Sequence, residues 1–356
     1  MDKIGVGVIG TGNIAGPYVD DLLTYSDVQV CGVSDLDHAR AEGFAKERGV
    51  QAYASTEALL DDPNVQIAVN LTPHSTHKTI TEQALQAGKH VYSEKPLALS
   101  TEDALALVEL AREKGLRLAC SPFTTGGEAQ QTLWKLVRDG KLGHVRVIYG
   151  EVNWGRIETW HPAPIPFYQV GPLFDVGVYV LAIVTSMFGP VRSVFSRGKI
   201  IHPERVTKDG KPYQLESPDW IVSLLELDNG IQLRLTTDFY VANQTTRQTG
   251  IEIHGDAGSA HLESFLAFHS ALTFAPFGEQ LSPVELLRPP FEGIPWGHGI
   301  HELVQAIQED RPHRYSGEQA AHITEILSAA NQSMQSGQMV AVTSTFVPPE
   351  PATWAV

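Results

Sequence analysis

Residues 94–96 read Glu-Lys-Pro, directly after the short strand-forming run HVYS. A charged pair at a strand end is ordinarily solvated punctuation. Here Pro96 fixes its own φ, and with it the turn that follows Lys95. Near the start, Gly10-Thr11-Gly12-Asn13-Ile14-Ala15 gives the pattern G-x-G-x-x-A. Its chemistry is pyrophosphate binding: Gly10 makes the turn, Gly12 lets backbone approach a phosphate, and Ala15 permits close helix–strand packing. The helix N-terminus then supplies N–H groups and positive dipole. Asp35 ends the second apolar run about 20 residues on, where a carboxylate accepts ribose hydroxyls. Its charge repels a 2′-phosphate and no arginine follows until Arg40, so NAD is expected over NADP; the plainer alternative makes Asp35 a helix cap. The stretch Asn70-Leu71-Thr72-Pro73-His74-Ser75-Thr76-His77 should pass beside the same cofactor. Thr11, Asn13, Ile14, Thr72, Pro73, His74, His77, Glu94 and Lys95 therefore join Gly10, Gly12 and Asp35 as expected cofactor contacts.

A second set lies further on. The run GPLFDVGVYVLAIVTSMFG is almost wholly apolar and predicts a helix, with Asp175 and Tyr179 one turn apart on one face. A lone buried carboxylate there would cost several kcal/mol unless paired, and a lysine from the other domain is a natural partner. Gly177 inside a helix sacrifices about 1 kcal/mol relative to Ala, which implies close approach by something. The plainer alternative makes Asp175 an N-cap and Tyr179 a core aromatic. Trp160-His161 and Trp296-Gly297-His298 set aromatic rings beside polar tips, which suits the faces and hydroxyls of a sugar as well as it suits loop packing. The sequence has 14 histidines, yet no pair of His or Cys shows ligand spacing with an acid in support, so no metal is expected.

These groups need elements to hold them. IGVGVIG, VQVCGVSD, IAVNLT, HVYSEK and LRLACS are the short apolar runs of a parallel sheet buried on both faces. Helical patterns lie between them; Ser100 followed by Glu102 and Asp103 predicts a helix start, and Gly88 and Gly115 predict helix ends. The alternation implies an α/β Rossmann domain, a doubly wound parallel sheet, over residues 1–121. Lys95 then lies at the same sheet edge as the phosphate turn, where nicotinamide and substrate should meet. Beyond it the texture changes to longer alternating strands: VRVIYGEVNW, VRSVFSRGKI, DWIVSLLELD, IQLRLTTDFY and QTGIEIHGD. They predict a C-terminal α+β domain, residues 122–343, with a large, mostly antiparallel open sheet and helices on one face. Asn229-Gly230 signals a tight hairpin turn. The Pro-rich stretches 161–172 and 283–295 read as surface loops or lids, Gly317 to about Met334 as a last amphipathic helix, and residues 344–356 as a tail.

Composition narrows the function. A chain of 356 residues suits two domains, and a formal charge of −15 argues against a nucleic-acid partner. Cys31 and Cys120 sit in apolar stretches and read as buried and reduced, as in a cytoplasmic protein. The first strand begins almost at once, which predicts no signal peptide, and no apolar run approaches the roughly 20 residues of a membrane helix.

Together, G-x-G-x-x-A, the acid after strand two, T-P-x-x-x-H after strand four and E-K-P after strand five resemble the glucose–fructose oxidoreductase, inositol dehydrogenase and MocA family. Asp175-Val176-Gly177-Val178-Tyr179 resembles that family's D-x-G-x-[HY]. Tyrosine at the last position is similar to the subgroup of glucose–fructose oxidoreductase and dimeric dihydrodiol dehydrogenases, whereas inositol dehydrogenases carry histidine. One departure stands out: residues 121–130, SPFTTGGEAQ, lack the arginine that many relatives carry in this region. The resemblance implies an NAD-dependent oxidoreductase transferring hydride between nicotinamide and a secondary alcohol or carbonyl of a sugar, cyclitol or related polyol. It implies catalytic roles for Lys95, Asp175 and Tyr179, with an adjacent ammonium favouring the phenolate of a tyrosine base. It also implies assembly as a dimer or tetramer through the C-terminal sheet. An NAD-dependent glycosidase and a non-catalytic NAD/sugar-binding sensor share the superfamily and are the alternatives.

Overall fold

The computed structural model describes residues 3–242 and 249–356; Gln248, which opens the run QTGIEIHGD, lies outside the described residues. The chain forms two compact units, residues 1–123 with 295–324 and residues 124–294 with 325–356. Where the sequence reading draws one boundary at 121 and gives 122–343 to the second domain, the structure returns 295–324, with Trp296 and His298, to the first unit. The segment 344–356, read as a separate tail, counts with the second unit.

The first unit alternates β1 (Ile4–Ile9), α1 (Ala15–Leu22), β2 (Val28–Ser34), α2 (His38–Arg48), β3 (Gln51–Ala52), α3 (Thr56–Asp61), β4 (Ile67–Asn70), α4 (His77–Gln86), β5 (His90–Ser93), α5 (Thr101–Glu113) and β6 (Leu118–Cys120). The six strands form one parallel sheet in the order β3-β2-β1-β4-β5-β6. All five predicted strands are present; β3, only two residues long, carries no periodic signal to read. Every residue of β1 and of β4 is buried, as strands covered on both faces require. Ser100 caps α5 by accepting from the Asp103 N–H at 3.1 Å, and Gly88 and Gly115 take φ of 77° and 64° after their helices. The core between sheet and helices gathers Leu59, Leu85, Val91, Leu97 and Leu107. Cys120 is buried there, but Cys31, expected inside, is half-buried at its rim.

The second unit begins with α6 (Glu128–Arg138), β7 (Val145–Asn153) and a short helix, α7 (Ile165–Val170), inside the Pro-rich stretch read as loop. A turn of π-helix over Leu173–Gly177 leads into α8 (Val178–Phe188). Then come β8 (Val191–Lys199), a small hairpin of β9 (Glu204–Val206) and β10 (Pro212–Gln214), β11 (Trp220–Leu227), β12 (Gln232–Asp238), β13 (Ile251–Gly255), β14 (Gly258–Leu262), β15 (Leu272–Pro276) and β16 (Ser282–Pro283). After the first unit's α9 (His298–Gln308) and the start of α10 (Gly317–Ser336), the chain ends with β17 (Val340–Ala341) and the last residues. The large sheet runs β16-β15-β14-β13-β7-β12-β11-β8-β17 and is antiparallel except where β12 pairs with β7. Asn229-Gly230 does close the β11–β12 hairpin. Only Gly230 takes positive φ, 85°, and residues 228–231 separate the strands, so the turn is wider than the two-residue form Asn-Gly favours.

One face of this sheet is closed. Ile221, Ser223, Leu225 and Leu227 of β11 are buried, and a Cβ on Gly150 would come within 2.7 Å of Val180 of α8. A Cβ on Gly198 would likewise meet Met334 of α10 at 2.6 Å. On the other face, Phe195, Leu224, Arg234, Tyr149, Glu252, His261 and Thr273 stand side by side in one cross-strand row over seven strands. Leu224 is 53 % and Tyr149 36 % exposed, so this face carries open apolar surface. The C-terminal segment is held down rather than trailing. The Ala352 N–H donates to Gln131 of α6 at 2.9 Å, and the Trp354 ring lies 3.8 Å beneath the Arg288 guanidinium.

Candidate functional site

The phosphate turn follows β1 as its sequence requires. Gly10 adopts φ of 98°, and a Cβ there would strike the Leu71 carbonyl at 2.9 Å, so only glycine fits. At Gly12 the reason is different. Apart from the glycine and its two chain neighbours, no atom of the described residues lies within 4 Å of where its Cβ would stand, and Gly12 and Asn13 are exposed. The glycine there keeps backbone bare on the outside of the turn, which suits close approach by a phosphate ahead of α1. Asp35 directly follows β2 and does not cap α2; Asp37 does that, accepting from the Arg40 N–H. Its carboxylate instead accepts from the Thr11 N–H and hydroxyl, both at 2.8 Å, and from the Asp37 N–H at 2.9 Å. Arg40 completes the shell with Nη2 at 2.5 Å from Oδ1. Burial alone would raise the Asp35 pKa, but these donors, Arg40 first, bring it down to about 2. These residues fit an adenosine pyrophosphate: open backbone, a helix start, and an acid at the end of β2.

The loop after β4 is organised by Asn70, the last residue of that strand, to which the sequence reading gave no role of its own. Its amide donates to the His77 carbonyl at 3.0 Å and to Thr81, while its oxygen accepts from the Thr72 hydroxyl at 2.6 Å. Thr72, His74 and Thr76 remain half-buried and Pro73 exposed on the loop. His77 differs from that expectation: it is 1 % exposed, and both ring nitrogens are engaged by backbone carbonyls of Thr72 and Pro96. It holds the loop instead of facing a ligand.

After β5, Glu94 and Lys95 part company. Glu94 is 7 % exposed; Tyr18 of α1 donates to its Oε1 at 2.5 Å, Ser121 donates to the same oxygen at 3.1 Å, and the Lys95 N–H donates to Oε2 at 3.0 Å. Glu94 thus serves the turn itself, with its oxygens taken by protein donors. Tyr18 is fully buried, and burial first, then the Glu94 charge, push its pKa far above the usual phenol value. Lys95 stays half-buried, its main chain pinned by Glu94 and followed by a cis peptide to Pro96. No sequence pattern marks Tyr18 or Ser121 as its supports, because both are remote in the chain. Trp296 and His298 pack within the first unit. The Trp296 ring is 5.6 Å from Tyr18, His298 is 6.3 Å from Phe123, and the Gly297 N–H donates to Asp21 at 2.7 Å.

In the second unit the D-V-G-V-Y residues straddle a change of helix type. Asp175 and Gly177 belong to the π-turn and Tyr179 to α8, whereas one continuous α-helix was expected. Asp175 is 5 % exposed and is not an N-cap. A Cβ on Gly177 would fall 2.8 Å from Leu173 and 3.2 Å from Thr237 of β12, so the close approach its presence implied is made by the protein's own chain. Tyr179 stacks on Phe265 at 5.3 Å and 22°. Trp160 and His161 form a ring cluster with Phe167, at 5.7 and 4.8 Å, and Trp160 is 41 % exposed. A buried ionic knot lies beneath that loop, unseen in the sequence. Arg205 pairs with Glu158 at 2.8 Å and Asp219 at 2.6 Å, and Tyr168 donates to Glu158 at 2.6 Å.

The chain is similar to known proteins in both sequence and fold. Residues 4–121 match the model of the oxidoreductase family with NAD-binding Rossmann fold, and residues 130–261 match the GFO/IDH/MocA C-terminal domain. The chain is 29 % identical over 260 residues to the trans-1,2-dihydrobenzene-1,2-diol dehydrogenase of Sus scrofa, covering 72 % of this chain and 73 % of that one. It is 34 % identical over 211 residues to the dTDP-3,4-didehydro-2,6-dideoxy-alpha-D-glucose 3-reductase of Streptomyces antibioticus, covering 57 % and 62 %. Its fold superposes on an NAD binding oxidoreductase from Klebsiella pneumoniae with a TM-score of 0.86 at 21 % identity, over 96 % of this chain and all of the other. With both of its domains matched, the chain belongs to the glucose–fructose oxidoreductase, inositol dehydrogenase and MocA family of NAD-binding oxidoreductases.

Proposed function

We propose that the protein transfers hydride between a nicotinamide cofactor, NAD in preference to NADP, and a secondary alcohol or carbonyl on a sugar, cyclitol or related ring polyol. The observation that carries this reading is the Lys95 turn, where Glu94, Tyr18 and Ser121 are spent on holding the backbone of one half-buried lysine. A surface lysine needs no such support. Two relatives point to the substrate class: one is named for a cyclic vicinal diol and the other for a keto-deoxysugar, both presenting ring carbons that carry oxygen.

Gly10, Gly12 and the start of α1 would hold the pyrophosphate, and Asp35 the adenosine ribose. When bound, the nicotinamide accepts or gives hydride. Tyr179 takes the hydroxyl proton in oxidation and returns it in reduction, and Lys95 polarises the substrate oxygen as its negative charge develops. Asp175 binds a neighbouring hydroxyl. The test is a panel of sugars, cyclitols and cyclic trans-diols, followed at the NADH absorbance band with both cofactors. Turnover of at least one ring polyol is expected. Binding without turnover across the panel would indicate a sensor, and release of nitrophenol from nitrophenyl glycosides without net NADH a glycosidase; either outcome overturns the proposal.

A further inference from the structure

His77 lies at the start of α4, yet its ring does not face solvent; it is 1 % exposed. Nδ1 lies 2.7 Å from the Pro96 carbonyl oxygen and Nε2 lies 2.8 Å from the Thr72 carbonyl oxygen. A carbonyl oxygen can only accept, so each nitrogen must donate. A neutral imidazole has one N–H and one lone pair, and only the imidazolium donates from both nitrogens. In a neutral ring one lone pair would stand against a carbonyl oxygen at under 3 Å.

Resting on the proposed dehydrogenase reading, we infer that His77 is a positioning residue: a buried imidazolium that staples the Thr72 loop to the Lys95-Pro96 turn. The two ends of the staple belong to the loops after β4 and β5, and Asn70 fixes its base by donating to the His77 carbonyl. Burial, the largest influence, leaves the imidazole pKa below its ordinary value, although the Pro96 and Thr72 carbonyls and the Glu94 carboxylate raise it and only the Lys95 ammonium adds to the lowering. The other titratable ring beside it is His74, 5.9 Å away. Burial favours the neutral form and the two carbonyl contacts favour the cation. Against that net lowering the geometry argues for the cation, because both contacts, at 2.7 and 2.8 Å, can stand together in the cation alone. Losing the proton opens one end of the staple, and the Thr72 loop and the Lys95-Pro96 turn are then no longer tied together. The sign follows: the staple is complete below the His77 pKa and is lost as pH rises through it.

The test uses the full-length protein labelled with nitrogen-15 in histidine. At pH 7 the wild type should show one histidine with protons on both ring nitrogens, slow to exchange with solvent, and His77→Gln should remove that signal. Absence of any such histidine at pH 7 overturns the assignment even if the variant fails to fold. On a substrate from the panel, His77→Gln should lose tenfold or more in kcat, with KM for the nicotinamide cofactor within about twofold. Unchanged kcat overturns the positioning role. The spectrum does not depend on turnover, so a doubly protonated His77 in a protein inactive on the whole panel would sink the dehydrogenase reading and leave the staple standing.

Discussion

Arg40 places a guanidinium nitrogen 2.5 Å from the Asp35 carboxylate, the acid on which the proposed preference for NAD rests. With Thr11 and the Asp37 N–H also donating, the carboxylate has little room for ribose hydroxyls unless one donor yields. Arg40 is the one able to do so, since its side chain is 54 % exposed. The pair therefore holds both answers: a carboxylate that prefers a ribose diol, and a guanidinium that would welcome a 2′-phosphate.

The wild type should bind NAD at least tenfold more tightly than NADP, about 1.4 kcal/mol. Asp35→Ala frees Arg40 and should reverse that order, and Arg40→Ala in the same background should abolish the reversal. Tryptophan fluorescence titration with each cofactor checks it, and wild-type NADP binding as tight as NAD would overturn the assignment. With the Asp35 pKa held near 2 the carboxylate stays charged, so this selectivity should be constant above about pH 7 and should weaken toward pH 5 as the NADP 2′-phosphate, with its second pKa at about 6, takes up a proton.

Much of this could be read from the chain because the informative signals were local. G-x-G-x-x-A, Asp35 and the strand-ending Lys95 each sit within a few residues of the element that positions them. The supports were not legible for the opposite reason: Tyr18 reaches Glu94 across 76 residues and Ser121 across 27. Arg205 carries no periodic mark, since its worth comes from Glu158 and Asp219, gathered from other parts of the chain. The π-turn at Leu173–Gly177 escaped because an apolar run has the same composition in either helix type. Placing 295–324 failed likewise; the segment looks like a continuation of its Pro-rich neighbour until Gly297 and Gly299 are seen against Asp21 and Tyr92.

The exposed row across the large sheet predicts assembly. Leu224 and Tyr149 lie on the face away from α8, beside Arg234, which sits 4.7 Å over the Tyr149 ring. A face that mixes exposed apolar side chains with an arginine set between them suits a two-fold partner burying about 800 Å² on each copy. Light scattering at micromolar concentration should give a dimer or a dimer of dimers, and Leu224→Glu should shift the mass toward the monomer while leaving circular dichroism unchanged. A wild-type monomer at that concentration would rule the face out.

The Arg205 knot predicts a stability loss with a definite pH dependence. Its side chain is 1 % exposed, so Arg205→Leu would leave Asp219, itself fully buried, without its cation. Removing one partner of such a pair costs about 3–5 kcal/mol. Chemical denaturation at pH 7 should show that loss, and a change within 1 kcal/mol would mean the pair is dispensable. Burial raises the Glu158 pKa, but Tyr168 and Arg205 outweigh it and hold the carboxyl below its usual value. A depressed carboxyl stabilises the fold above the unfolded-state pKa and stops doing so as pH falls through the folded one. The wild-type advantage over Arg205→Leu should therefore shrink below about pH 4.

The last prediction tests the lysine that the Glu94 cluster supports. If Lys95 were strand-end punctuation, Lys95→Met would fold, bind NAD and keep its activity, since exposed charges contribute little. If it polarises the reacting oxygen, the stabilisation removed is made mainly in the transition state. The rate on a verified substrate should then fall about a hundredfold or more, at least 2.7 kcal/mol, with NAD affinity nearly unchanged. Tyr179→Phe should lose a comparable amount, because in the proposed reaction the phenol oxygen carries the proton, while the ring would stay stacked on Phe265. The double variant should be far less impaired than the two losses summed, as expected of groups acting on one bond-breaking step. Single-turnover kinetics separates this from slow product release, and full activity in Lys95→Met would remove the lysine from the mechanism.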